Sequence, residues 1–298
     1  MQKVETPPGI TATGNPVLPG VGLGLLSWKS HVTLRTTLTA LTKAGLLSCF
    51  EDCAIVFQEC SRDDLDLAEE FGIRPVALAE NTGIQFGMKH VAEALDTEFV
   101  LHVENDCLLT QTGEEAIRQF EVARSSLKAG DAHVYRFICG TDHRRTGDGP
   151  RKYSRFHGGP SVSGLPLDPL LRMGRRVLRP GKSRRMCGNA VYFDEHPEER
   201  FPQYIERLGT DHFVVDSAAI NWINRSIMYP RSWFLDAIIP YAEANPCSRL
   251  TNGTSNLERE MNCDWWRDQH FKVGILPGVF AHNRLDRPPE DEMTSLAG

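Results

Sequence analysis

The segment from Asn81 to Leu109 constrains this chain most. Ile84, Met88, Val91, Ala92 and Leu95 recur at i, i+4, i+7, i+8 and i+11, the spacing of one helix face. After Asp96 and Thr97, Phe99, Val100, Leu101 and Val103 form a short apolar run of the kind found in strands covered on both faces. That strand ends in Glu104, Asn105 and Asp106. In an open α/β sheet, ligands bind in the crevice outside the carboxyl ends of the strands. Two carboxylates there suit a hard divalent cation that keeps some of its waters and bridges a diphosphate, helping a phosphate-type group to leave. The alternative is that Asp106 caps the next element and Glu104 is solvated.

Strand and helix patterns alternate on either side of this segment. Val21 to Trp28 reads as a strand, and Val32 to Ala44 as a helix with a Leu34, Leu38, Leu41 stripe. Ala54 to Phe57 is a second strand, Asp63 to Phe71 a short acidic helix, and Pro75 to Ala79 a third strand. Gly113 to Lys128 then predicts a helix and His133 to Cys139 a strand. Such alternation predicts an α/β domain, a mostly parallel central sheet with helices on both faces. Regularity lapses over residues 140–185, then returns with a strand at Gly188 to Phe193 and a helix from about Asp211 to Arg225. A turn is expected at Pro277 and Gly278. Residues 1–20 read as an irregular arm, 21–285 as the folded domain and 286–298 as a loose tail.

Composition narrows the function classes. At 298 residues and 41% hydrophobic the chain can bury a full core. No run approaches the roughly 18 apolar residues that span a bilayer, and no signal-peptide pattern opens the chain. Eight cysteines without a C-x-x-C pair read as reduced thiols, so the expected location is cytoplasmic and the sequons at Asn224 and Asn252 carry no glycan. A net charge of −6 gives no reason to expect nucleic acid. Between Arg144 and Arg185, however, twelve Lys or Arg residues face only two acids, Asp148 and Asp168. That excursion reads either as a lid over an anionic substrate or as a solvated loop.

Four segments in order resemble the GT-A fold glycosyltransferases, most closely their family 2-like members. The first strand ends in Ser27, Trp28 and Lys29. The second ends in Gln58, Glu59, Cys60, Ser61, Arg62, Asp63, similar to that family's D-x-S-x-D turn. Asn81, Thr82 and Gly83 match its N-x-G, and Glu104, Asn105, Asp106 stand where its D-x-D lies. The resemblance implies a GT-A type domain with a Rossmann-like nucleotide-sugar-binding half at 21–110 and an acceptor half at 111–285. It implies a donor such as a UDP- or GDP-sugar, a glycan or other hydroxyl acceptor, and Mn²⁺ or Mg²⁺ as cofactor. Ser27, Trp28, Glu59, Asn81, Gly83, Lys89 and Glu104 are then donor-binding candidates, with Arg62 a further diphosphate contact. Asp106 and His282 are the metal candidates. Glu stands where the family has Asp at both 59 and 104.

In the acceptor half, inverting members of the family place a carboxylate at the start of a helix, where it takes the proton from the attacking hydroxyl. Asp211 is the candidate base, with Asp216 as fallback and an N-cap as the competing role. Trp265 and Trp266 stack on a sugar or pack the core. The resemblance therefore implies an inverting hexosyltransferase-type glycosyltransferase. Two other classes stay open: a sugar-phosphate nucleotidyltransferase, disfavoured because no Gly-rich, Arg-containing loop follows Leu26, and a non-catalytic nucleotide- or carbohydrate-binding module.

Overall fold

The computed structural model of the chain describes residues 17–139, 150–158, 168–248, 250, 253–282 and 285. Its strands are β1 (Leu18–Ser27), β2 (Phe50–Phe57), β3 (Arg74–Ala77), β4 (Phe99–Glu104), β5 (Cys107–Leu109), β6 (Val134–Ile138), β7 (Ile205–Gly209), β8 (His212–Asp216), β9 (Ile227–Pro230) and β10 (Lys272–His282). They form one sheet of order β3-β2-β1-β4-β9-β6-β10-β8-β7, with β5 paired to β10 off that path. β1, β2, β3 and β4 are mutually parallel, as are β6 and β10. β9 runs antiparallel between β4 and β6, and β8 antiparallel between β10 and β7. The carboxyl ends of β1, β2, β3, β4, β6 and β10 therefore share one edge of a mixed α/β sheet.

Continuous apolar runs make the central strands because both faces are covered. Leu23 and Leu25 of β1 pack with Leu34, Leu38 and Leu41 of α1 (His31–Lys43), with Leu67 and Ala68 of α2 (Arg62–Glu70), and with Phe120 and Ala123 of α4 (Gly113–Ala129). Fully burying each such leucine contributes about 1.5–3 kcal/mol relative to exposure, so the α1 stripe alone holds that helix on the sheet. On the other face Leu26 packs with Met88 and Val91 of α3 (Gly83–Ala94) and with Leu95 just past its end. α3 sits close because β1 offers glycine: a Cβ on Gly24 would stand 2.2 Å from Val91 Cγ1. Helix ends are chemically marked. Ser61 and Asp64 form a capping box at α2, and Thr112 caps α4 while Gly130 closes it in the left-handed region.

The second core also takes in Trp222, Phe234 and Trp266 with α5 (Pro150–His157) and α7 (Pro180–Cys187). Between those two helices lies α6 (Asp168–Leu178). The described part of the basic excursion is therefore helical, while 140–149 and 159–167 fall outside the described residues. The short elements that follow are α8 (Pro197–Arg200), α9 (Arg231–Trp233) leading through a π turn at Phe234–Ile238 into α10 (Ile239–Ala244), α11 (Leu257–Met261) and α12 (Asp264–Asp268).

Four expectations are corrected. Gly188–Tyr192 is a 3₁₀ helix, not a strand, because Gly188 presses against Ala219 and Ile220 in a packed turn. The expected Asp211 helix is instead the second half of the β7–β8 hairpin, followed by a 3₁₀ turn at Ser217–Ala219. Arg207 lies over the Phe213 ring at 4.5 Å and binds Glu198 at 2.6 Å, which fixes the hairpin at the sheet edge. Pro277 and Gly278 lie inside β10, where the register against β6 slips between Ile275 and Phe280. Regular structure begins at Leu18, three residues inside the expected arm; residues 1–16 and the tail 286–298 lie outside the described residues.

Candidate active site

β4 alternates its side chains between the two cores and delivers Glu104 to the carboxyl edge. Asn105 and Asp106 then turn the chain into β5, and Thr37 Oγ1 of α1 donates to the Asn105 carbonyl at 2.8 Å. β5 runs antiparallel to the end of β10, with Cys107 opposite His282. This pairing depends on the slip in β10. Gly278 has φ +87°, and a Cβ there would stand 2.2 Å from the Ile138 carbonyl oxygen, so the strand is re-aimed at a position only glycine fills.

The result is a convergence of Glu104, Asp106 and His282, whose ligand atoms all lie within 4.8 Å of one another. His282 Nε2 is 2.8 Å from Asp106 Oδ2, and both residues are largely buried. Arg225, just before β9, approaches Glu104 Oε2 with its Nε at 3.9 Å. Burial beside Glu104 and Asp106 pushes the Cys107 thiol up, so it stays protonated and offers no thiolate to the cluster. Two carboxylates and an imidazole form a donor set suited to Mn²⁺, which accepts oxygen and nitrogen ligands together, and less so to Mg²⁺, which favours oxygen alone.

The neighbouring strand ends form a second feature. The Gln58 amide donates to the Ser27 carbonyl at 3.0 Å. Gln58 Oε1 accepts from the Thr82 amide at 2.8 Å and from its hydroxyl at 3.1 Å, tying β2 to the start of α3. Asn81 Oδ1 accepts from the Gly83 amide at 2.9 Å. Gly83 itself, at φ +85°, lies against Thr254 and Ser255 with no room for a Cβ. Lys29 and Glu59 form an ion pair across the ends of β1 and β2, and Lys29 also stands 5.5 Å from the Trp28 ring centroid. That hydrogen-bonded ammonium holds the Glu59 carboxyl below its usual range. Lys29, Glu59 and Ser226 all have φ between 43° and 50°, and all three lie at this edge of the sheet. Strain of this kind persists only where surrounding structure enforces it, and it gathers at functional sites.

Other candidates lie elsewhere. Lys89 is held by Glu243 of α10 at 2.7 Å, and Arg62 by Asp66. Asp211 occupies the exposed β7–β8 turn, so no helix start exists to support its role as base. Its neighbour Phe213 pairs with Ile275 on β10, and because Ile275 and Phe280 stand opposite β6 residues only two apart, His282 lies four strand positions further along, about 13 Å at ~3.3 Å per residue. Asp216 pairs with Lys272 at the opposite end of β10, caps Ala218 and binds His270 at 2.8 Å. Trp266 is fully buried, with its Nε1 donating to the Ile220 carbonyl, while Trp265 stacks on Tyr241 at 3.8 Å. Asn224 is buried, bonded to Trp222 and Asn256, which agrees with no glycan there; Asn252 lies outside the described residues.

Sequence reasoning missed Arg225, Thr37 and Glu258. Glu258, the second residue of α11, accepts from the Asn224 amide at 3.1 Å and so stands one residue from the arginine that faces Glu104. Its signal was present as an Asn256 cap followed by an acidic first turn.

The chain matches no protein-family model, and no curated protein matches it. Its structure resembles several solved ones at low identity. A mannosyltransferase from Pyrobaculum calidifontis, in complex with GDP-Man and Mn²⁺, is 11% identical over 42% of this chain and 37% of its own length, with a TM-score of 0.35. TarS 1–349 from S. aureus is 13% identical over 88% of this chain and 60% of its own, with a TM-score of 0.44. Glucosyl-3-phosphoglycerate synthase from Mycobacterium tuberculosis, with Mn²⁺, UDP and glucosyl-3-phosphoglycerate, is 10% identical over 93% and 75%, with a TM-score of 0.45. The chain thus spans less than two thirds of the first two. Likenesses at this level leave the function to be argued from the site itself.

Proposed function

We propose that the chain is a metal-dependent glycosyltransferase of the GT-A type, moving a sugar from a nucleotide-sugar donor to a hydroxyl acceptor. The observation that carries this reading is the convergence of Glu104, Asp106 and His282 at the carboxyl edge, beside the strand ends that carry Gln58 and Glu59. Asp106 and His282 would hold a divalent ion, Mn²⁺ in preference to Mg²⁺, with Glu104 as third ligand or as a partner of bound water. Such an ion neutralises the charge that develops on a departing diphosphate. Ser27 and Trp28 line the first strand end, and Glu59 accepts from the nucleobase edge once Lys29 turns away. Asn81 shapes the start of α3, and Gly83 lets the 254–255 segment close against it. Arg225 turns from Glu104 to the diphosphate, adding a second positive charge that acts most strongly as the leaving group forms.

The general base in this reading is Glu258, not Asp211. It lies in the first turn of α11 and accepts from the Asn224 amide in the loop that carries Arg225 into β9. A carboxylate base of this kind takes the proton from the acceptor hydroxyl as it attacks, which corresponds to an inverting course.

The test is donor hydrolysis and transfer over a panel of UDP- and GDP-sugars, with Mn²⁺ and with a chelator. Turnover that requires the metal, with release of a nucleoside diphosphate, is the expected outcome. Release of pyrophosphate from a nucleoside triphosphate and a sugar phosphate would support the nucleotidyltransferase instead. Nucleotide-sugar binding without turnover under any condition would support the binding module.

A further inference from the structure

Helix α6 is seated the wrong way round for a soluble protein. At 100° per residue, Leu170, Leu171, Met173, Val177 and Leu178 fall within an arc of about 160°, while Arg172, Arg175, Arg176 and Arg179 occupy the opposite side. A surface helix ordinarily turns its apolar stripe to the core. Here Arg172 and Arg175 lean toward the end of α5, while Arg176 and Arg179 stay exposed. Arg175 Nη1 donates to the Arg155 carbonyl of α5 at 3.4 Å, and Arg172 Nη1 lies 2.7 Å from where a Cβ on Gly158 would stand. The apolar side points outward, with relative exposures of 63% for Leu170, 52% for Leu171, 53% for Met173, 73% for Val177 and 82% for Leu178. These are half of the ten exposed large hydrophobic residues found among the described residues.

The charge around this face identifies what it meets. From Pro169 to Cys187 there are seven Lys or Arg residues and no acid, in a chain whose net charge is −6. Arg176 near the edge of the stripe, Arg179 just past the end of α6 and Arg184 on α7 are all exposed. A second copy bound through the same face would set this cationic patch against itself across a two-fold axis. An apolar stripe flanked by clustered arginines matches an interface that is anionic at its surface and apolar just below it.

We propose that α6, with the basic start of α7, is an in-plane anchor that docks the protein reversibly on an anionic lipid bilayer. Leu170, Met173, Val177 and Leu178 enter the acyl boundary, and Arg176, Arg179 and Arg184 pair with headgroup phosphates. No helix among the described residues is long and apolar enough to cross a membrane, so the attachment is peripheral. The inference stands on α6 and α7 and is independent of the sugar transfer proposed above.

Co-sedimentation of the full chain with vesicles tests it, using phosphatidylcholine alone and phosphatidylcholine with about a third phosphatidylserine. The expected result is binding to the anionic vesicles only, weakened by salt and not competed by inorganic phosphate. Val177→Glu combined with Leu178→Glu should lower the partition coefficient at least about tenfold, and Arg176→Gln with Arg179→Gln should lower it on anionic vesicles. Both variants should keep the wild-type melting temperature and donor hydrolysis rate, because these side chains are exposed and lie outside the site. Wild-type protein that stays in the supernatant, or a double-Glu variant that binds as well as wild type, overturns the anchor. Concentration-dependent dimers abolished by the double-Glu variant, without vesicle binding, would also overturn it and make the face a protein interface.

Discussion

Nε2 of His282 stands 2.8 Å from Oδ2 of Asp106 although more than half of the chain separates them in sequence. The contact joins the end of the last strand to the turn after β4. Asp106→Ala and His282→Ala should each weaken metal-dependent nucleoside diphosphate binding at least about tenfold, the size lost even when an outer-sphere partner is removed. Calorimetry with Mn²⁺ checks this, and unchanged affinity in both variants would remove the cluster from donor binding. Glu104→Gln should be milder, since an amide keeps part of an outer-sphere contact.

Metal should also show itself in stability. A ligand present at about 100 times its Kd stabilises the folded state by about 2.7 kcal/mol. Mn²⁺ should therefore raise the melting temperature of the wild-type chain, and Asp106→Ala should abolish the rise. An equal rise in the variant would place the ion elsewhere.

Two carboxylates separate the candidate bases. Glu258→Gln should lower turnover by about 10²- to 10⁴-fold while leaving donor affinity in place. Asp211→Asn should turn over within a few-fold of wild type, because Asp211 sits in an exposed hairpin turn and not at a helix start. Single-turnover kinetics with saturating donor reads both, and the opposite ranking would return the role to Asp211.

Acid should unfold the protein partly through His102. This residue sits mid-strand in β4 with neither ring nitrogen hydrogen-bonded, and burial pushes its pKa down to about 3. Between that value and the unfolded pKa of about 6.5, the unfolded chain binds a proton that the folded chain refuses. Stability from this residue is thus full above about pH 6.5 and falls toward pH 3 by about 1.4 kcal/mol per unit. Burial also lowers His133, His157 and His212, which adds to the slope. His102→Leu should flatten the dependence of the denaturation midpoint on pH; an unaltered slope would assign acid sensitivity to the other three.

The first half of the fold was legible because its signals are local. The α1 and α3 stripes, the apolar β2 and β4 runs and the Ser61 cap each encode one element without reference to the rest. The β7–β8 hairpin was not. Phe213, Val214 and Val215 are a strand only because Arg207 and β10 flank them, and the same apolar run continues into Ala218 and Ile220 with a spacing that mimics a helix face. Asp106 was legible from the apolar strand that ends in it, whereas His282 came from family resemblance, and nothing near either residue announces the other. Arg225 meets Glu104 from a loop that leaves no periodic trace, and Glu258 is marked only by the Asn256 cap of a five-residue helix.

The slip between Ile275 and Phe280 sets a counting rule for the last strand. Side chains along β10 alternate with period two, so a change of one residue in length exchanges the faces of everything beyond it. Deleting any one of residues 276–279 would move His282 to the position opposite Leu108, and inserting one would bring Ala281 opposite Cys107. The third member of the cluster is written as an odd or even tally along one strand, and a single-residue length change erases it without touching any side chain in the site.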